Sequence, residues 1–219
     1  MKPTLQKLQQ QLEQTSKELN LFSAGDRLKI GDKHLPDSVA VLDFWTPADG
    51  SRVMDIGTGG GLPGLALALS HPKTSFTLVD AREKKVRAVR DMAEELGLEN
   101  VRTVAGRFEE LARETKYREQ FDVVTARAVA SLPLLLEYAA GFLKVGGSLY
   151  AWKGPDYETE LKQAKIAQAE LGLVYKESFA YELPGAEARV ILRFEKTKKL
   201  HPAYPRRTGV PSSNPLVSK

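Results

Sequence analysis

The sequence predicts a doubly wound α/β fold with a mostly parallel sheet, and three observations carry that expectation. Short apolar runs alternate with helical patterns from Arg52 onward. A glycine-rich loop follows the first of these runs, and acidic residues recur where successive runs end. Parallel strands need crossover connections of about a dozen residues, which helices supply, and such sheets bind ligands at the carboxyl ends of their strands.

Each element has its own local reason. Residues 4–19 place Leu5, Leu8, Leu12 and Leu19 at mostly helical spacing among Gln, Lys and Glu, which is an amphipathic helix. Residues 20–33, with Gly25 and Gly31, read as a loop. Asp37-Ser38 is placed to cap a short helix over 39–45, closed by Pro47 and Gly50. Residues 1–50 thus form an N-terminal helical extension to a domain over 51–196. Strands are expected over 52–56, 76–79, 101–105, 121–125 and 147–152, with helices over 65–70, 83–96, 108–114, 132–143 and 157–171. Two further strand-like runs, 174–183 and 188–195, are joined through Pro184-Gly185. So short a link forces them to run antiparallel, which completes seven strands with a terminal antiparallel one.

Composition narrows the function. At roughly 150 residues per domain, 219 residues make one domain with decorations. There are 0 cysteines, which removes disulfides, thiolate metal sites, iron–sulfur clusters and cysteine nucleophiles. His34, His71 and His201 are far apart, so no metal site is expected. No run approaches the roughly 18 apolar residues of a membrane span, and the first residues are polar, so a cytoplasmic protein is expected. The net charge of +4 suggests a polyanionic partner. After Glu195 no acid remains, while Lys196, Lys198, Lys199, Arg206, Arg207 and Lys219 crowd a proline-rich end. Residues 197–219 therefore read as a basic extended arm that cannot be helical, or else as a solvated terminus.

The loop Asp55-Ile56-Gly57-Thr58-Gly59-Gly60-Gly61-Leu62-Pro63-Gly64 contains G-x-G-x-x-G over Gly59–Gly64, a weak signal alone. Asp55 at the strand tip would repel a pyrophosphate and attract an ammonium group. Pro63 at the helix start leaves fewer amides for phosphate. S-adenosylmethionine offers an amino-acid cation and no phosphate. Asp80, ending the second strand, can accept both ribose hydroxyls, as in NAD or adenosylmethionine sites. Phe108 and Glu109, after the third, can flank an adenine. Individually, Asp55 also reads as a helix cap, Asp80 as a turn former and Glu109 as a first-turn carboxylate. Together they favour a class I S-adenosylmethionine-dependent methyltransferase, Rossmann-like, over a dehydrogenase.

The chemistry is narrowed by what is missing. Without cysteine, pyrimidine C5 methylation and radical methylation have no apparatus. The loop after the fourth strand, Thr125-Ala126-Arg127-Ala128-Val129-Ala130, carries no Asn/Asp-Pro-Pro-Tyr motif for exocyclic amines. Guanine N7 has an exposed lone pair and loses no proton on attack, so alignment suffices. Arg127 is the candidate for orientation and electrostatic help, with no general base expected; a strand-end salt bridge is the alternative.

Several segments resemble the bacterial 16S rRNA guanine-N7 methyltransferase G family, also called the glucose-inhibited division protein B family. They are Lys33-His34-Leu35-Pro36-Asp37-Ser38, the Asp55–Gly64 loop, Leu78-Val79-Asp80, Gly106-Arg107-Phe108-Glu109-Glu110, Arg127-Ala128-Val129-Ala130, Trp152-Lys153-Gly154, and Tyr204-Pro205-Arg206-Arg207-Thr208-Gly209 with Pro215-Leu216. The resemblance implies N7 methylation of one guanine in a 16S rRNA loop near the decoding region, within the 30S subunit or a precursor. It places cofactor contacts on Gly57, Leu62, Phe108, Glu109 and Arg127, with Asp80 near the ribose, and the reading of the loop itself adds Asp55 and Gly59. This chain has Leu62 where the family commonly has Phe, and Phe108 where it has Ala. The family also usually reads Phe-Leu-Asp-Ser where this chain has Leu35-Pro36-Asp37-Ser38. Candidates for RNA are Lys33, His34, Arg127, Lys153, Arg189, Arg206 and Arg207. Trp152 or Tyr157 could hold an unstacked base, although Trp152 on a strand also reads as core. An rRNA-binding assembly factor, a small-molecule methyltransferase and a dinucleotide enzyme are the competing readings.

Overall fold

The computed structural model describes residues 3–19, 21–185 and 187–218. Its centre is a seven-stranded sheet in the order β3-β2-β1-β4-β5-β7-β6. The strands are β1 (Arg52–Ile56), β2 (Ser75–Asp80), β3 (Val101–Ala105), β4 (Phe121–Arg127), β5 (Leu143–Lys153), β6 (Leu173–Leu183) and β7 (Glu187–Lys196). The first five are mutually parallel. Only β7 is reversed, pairing antiparallel with both β5 and β6. The chain leaves β1 toward β2 and β3, then returns past it to β4. The carboxyl ends of β1 and β4 therefore flank the topological switch point, where an open sheet leaves a crevice.

The pleat sorts side chains into two layers. Met54 and Ile56 of β1 face one hydrophobic cluster, and Val53 faces the other. Central strands covered on both sides need near-continuous apolar sequence, and β1 is buried from Val53 to Ile56. The first layer holds α6 (Phe108–Leu111), α7 (Leu132–Ala140), α8 (Tyr157–Gln163) and α9 (Lys165–Leu171). The second holds α4 (Gly64–Ser70) and α5 (Glu83–Glu95), and the N-terminal residues join it. Leu8 and Leu12 of α1 (Pro3–Glu18), with Ile30, Leu35 and Val41, pack into the same cluster.

The extension departs from its expected elements. Asp37-Ser38 does not cap a following helix. Both lie inside α3 (Leu35–Val39), which carries Pro36 in its first turn, where proline is tolerated, and runs into a 3-10 turn, Ala40–Asp43. Ser38 Oγ donates back to the His34 carbonyl at 2.6 Å. The expected loop contains α2 (Ala24–Arg27), capped by the Ser23 side chain, and a π turn, Ile30–His34. Asn20, within that expected loop, lies outside the described residues, as do Met1, Lys2, Ala186 and Lys219. The expected helix over 157–171 is broken between α8 and α9, and the one over 108–114 shortens to the single turn α6.

The arm is not extended into solvent. It carries one helical turn, α10 (Val210–Ser213), with Pro211 in the permitted first-turn position. It also straps the first layer. Arg113 Nη2 donates to the Pro205 carbonyl at 2.6 Å, and Arg118 Nη1 to that of Tyr204 at 2.9 Å.

Candidate active site

The glycine loop is shaped by its neighbours. Thr58 N–H bonds the Val79 carbonyl at 3.0 Å, and Gly59 N–H donates to Asp80 Oδ2 at 3.1 Å, so the loop folds back over the end of β2. Gly57 has φ +70°, and a Cβ there would lie 2.7 Å from Val129 Cγ2, which requires glycine at this turn.

Asp55 overturns its expected role. It is 0 % exposed, and does not line the cavity above the loop. Thr125 Oγ1 donates to its Oδ1 at 2.8 Å and Gly64 N–H to its Oδ2 at 3.2 Å. Burial pushes its carboxyl up to about 6. Asp55 is an internal brace that ties β1, β4 and the start of α4. Its carboxylate takes the Gly64 N–H at the start of that helix, so this amide is not offered to a phosphate.

Above the loop lies a cavity of about 520 Å³, large enough for a nucleoside-sized ligand. Of the residues expected to hold a cofactor, Gly57, Gly59, Leu62, Asp80, Phe108 and Arg127 line it. Asp80 keeps its carboxylate at the edge, with Oδ1 accepting Arg82 N–H at 2.9 Å. Glu109 is the second correction. It is buried, is not in the cavity wall, and accepts Gly209 N–H at 3.2 Å, so it anchors the arm. The family's usual Ala is replaced by Phe108, whose ring meets Tyr138 edge-on with centroids 5.1 Å apart.

Sequence reasoning missed the residues that roof this cavity. Leu21 and Phe22 line it from the N-terminal extension. Phe22 lies over Gly60, where a Cβ would come within 2.9 Å of its ring, and its centroid is 5.0 Å from that of His34. The available signal was an apolar pair inside an otherwise polar stretch.

A second cavity, of about 340 Å³, adjoins the first and shares His34, Arg127 and Ala128 with it. Lys33, Asp37, Trp152, Lys153, Gly154 and Arg189 complete its wall. Ala128 at the junction holds φ +56°, a left-handed conformation rare outside glycine and typical of positions held by their surroundings. Arg127 forms the partition. Its Nη1 donates to Asp37 Oδ2 at 2.8 Å and lies 3.3 Å from His34 Nδ1, while its Nε is buried without an acceptor. Burial, reinforced by Arg127, holds the His34 ring below its ordinary pKa and so neutral. Lys153 is paired with Glu160 at 2.7 Å and donates to the Ala130 carbonyl at 2.8 Å. Trp152 is nearly buried, with its Nε1–H on the Asp37 carbonyl at 2.7 Å. Tyr157 packs against the first-layer core, outside both cavities.

Thus Lys33, His34, Lys153 and Arg189 come together beside the first cavity, and Arg206 and Arg207 do not. Arg206 is the third correction: its guanidinium is bound by the buried carboxylate of Glu137. Arg207 lies on the exposed face of the arm, away from both cavities.

The geometry has counterparts among known proteins. A family model described as rRNA small subunit methyltransferase G matches residues 1–182. Curated relatives named ribosomal RNA small subunit methyltransferase G include one from Desulfitobacterium hafniense, 43% identical over 92% of this chain and 84% of the relative. Another, from Leuconostoc citreum, is 38% identical over 94% of this chain and 87% of the relative. Among solved structures, a SAM dependent methyltransferase from Aquifex aeolicus superimposes with a TM-score of 0.59 at 17% identity. It covers 80% of this chain and 100% of that one, which speaks to the fold.

Proposed function

The chain belongs to the rRNA small subunit methyltransferase G family, and we propose that it transfers the methyl group of S-adenosylmethionine to N7 of a guanine in 16S rRNA. The observation that carries this reading is the pair of cavities at the switch point, which meet at Arg127, His34 and Ala128.

The first cavity fits the donor. Asp80 presents a carboxylate to the ribose hydroxyls, the glycine loop admits a close ligand, Leu62 and Phe108 supply apolar walls, and Asp55 takes the Gly64 amide that a phosphate would need. When bound, the donor supplies an electrophilic methyl group: guanine N7 forms the new bond as the S–CH3 pair returns to sulfur, and no proton leaves. The chain therefore needs no general base. His34, whose Nδ1 lies 3.3 Å from Arg127 Nη1, is not required as one.

The second cavity suits an unstacked nucleotide, with Lys33 and Arg189 for phosphate and the Trp152 wall for the base. In the reading as a binding factor driven by its basic arm, Arg206 is not a free phosphate contact, because it is bound internally by Glu137.

The test uses 30S subunits and naked 16S rRNA from cells lacking the modification, incubated with labelled donor and protein. Borohydride–aniline cleavage should map one N7-methylguanine. Incorporation into neither substrate would overturn the proposal, and whichever substrate works shows whether the subunit's shape is required.

A further inference from the structure

The partition between the cavities has a charge problem that the structure solves. Arg127 supplies hydrogen-bond donors where donor and target meet, yet the methyl donor is a sulfonium cation and the product guanine carries a positive charge. An uncompensated guanidinium there would oppose binding of the one and formation of the other. Two cations at the junction are each held by an acid: Arg127 by Asp37 at 2.8 Å and Lys153 by Glu160 at 2.7 Å. The His34 ring beside them is held below its ordinary pKa by burial and by Arg127 itself, which favours its neutral form.

Asp37 is built into place. It is 6 % exposed, and each carboxylate oxygen has its own donor: Arg127 Nη1 on Oδ2, and the Tyr181 hydroxyl on Oδ1 at 2.5 Å. Its main-chain carbonyl accepts the Trp152 indole N–H at 2.7 Å. The residue therefore gathers contacts from β4, β5 and β6 onto α3, far more than an ordinary strand-end salt bridge requires.

We propose that Asp37, braced by Tyr181, is a positioning residue for methyl transfer: it aims Arg127 at the junction and cancels its charge, so that this guanidinium offers donors without adding net positive charge beside a cationic ligand. This rests on the donor occupying the first cavity.

The consequence is a difference between two ligands that differ only in one methyl group and the charge it places on sulfur. S-adenosylmethionine is a sulfonium; S-adenosylhomocysteine is a neutral thioether. Titration calorimetry at pH 8 on the full chain measures both affinities. In Asp37→Asn the donor should weaken about tenfold more than the thioether, because the unpaired guanidinium repels only the sulfonium. Arg127→Gln should shift the ratio the other way, toward the donor, since Asp37 is then the uncompensated charge. The double variant Asp37→Asn/Arg127→Gln should return the ratio to that of the unaltered protein, even if both ligands bind more weakly. Should Asp37→Asn fail to fold, the opposite shift in Arg127→Gln still decides the matter. Equal weakening of both ligands in each variant, or an unchanged ratio in Arg127→Gln, overturns the role of Asp37 while leaving the donor site intact. If the unaltered protein binds neither ligand, the donor site fails and the inference falls with it.

Discussion

Arg206 and Glu137 form a two-pronged ion pair between the C-terminal arm and α7: Nε lies 3.0 Å from Oε1 and Nη2 lies 2.7 Å from Oε2. Glu137 is 1 % exposed and also accepts the Arg206 backbone N–H at 2.8 Å. Removing one partner of a buried pair strands the other. Arg206→Ala should lower stability by roughly 3 kcal/mol, seen as a reduced urea midpoint. A variant as stable as the parent, but weakened in RNA binding, would return Arg206 to the RNA-contacting set.

Asp55 gives a pH signature. Its folded-state pKa, about 6, lies above the ordinary 3.8, so the folded protein holds this proton more tightly than the unfolded chain does. Its contribution to stability is greatest below the lower value, declines as pH rises between the two, and is constant above them. Asp55→Asn keeps one acceptor for Gly64 N–H and one donor toward Thr125, and removes the buried charge. At pH 7.5 the variant should be more stable by on the order of 2 kcal/mol, a gap that closes toward pH 4. Paired urea titrations at the two pH values measure it. Donor affinity should be retained, because the carboxylate is not in the cavity wall.

Asp80→Ala should lower stability by about 1–2 kcal/mol, through loss of the acceptors of the Gly59 and Arg82 amides, and raise the donor Kd about 100-fold through loss of two charge-assisted hydrogen bonds to the ribose. Calorimetry with S-adenosylhomocysteine reads the same loss without turnover. An unchanged Kd would place the nucleoside elsewhere.

Gly57→Ala combines a disfavoured φ of +70° with a 2.7 Å approach to Val129 Cγ2. Gly50→Ala meets the same kind of φ, +80°, with nothing within 4 Å. The second should cost only about 1 kcal/mol of backbone strain. The first should cost more and also impair donor binding, since Val129 lines the cavity. Thermal melts and donor titrations on both variants separate strain from crowding.

Lys196 is 0 % exposed, and its ammonium donates to Glu119 and to the carbonyls of Ala140 and Leu143, each at 2.7 Å. Lys196→Ala takes the ammonium away from all three acceptors, leaving Glu119 only the Leu200 N–H at 3.0 Å, and should destabilise by roughly 3–5 kcal/mol. Lys196, read from sequence as one of the basic residues of the tail, is a structural cation at the end of β7. Only its long-range partners reveal that.

The features legible from sequence were those with a local cause. The alternation of apolar runs and helical periods placed the strands β1 and β3 to the residue and the others within a few residues, because side-chain period is a property of neighbouring positions. The glycine loop and Asp80 were legible for the same reason: a tight turn and a strand end are short-range events, and the alternating topology brings them to one crevice. What only the tertiary structure decided was the partner of each charge. Asp37 finds Arg127 across 90 residues and Tyr181 across 144, Arg206 finds Glu137 across 69, and Gly209 finds Glu109 across 100. A carboxylate's role depends on whether packing buries it and which donors it then meets, and neither is written in the residues beside it. Asp55 thus became a brace, Glu109 an anchor, and Asp37 the residue that holds Arg127.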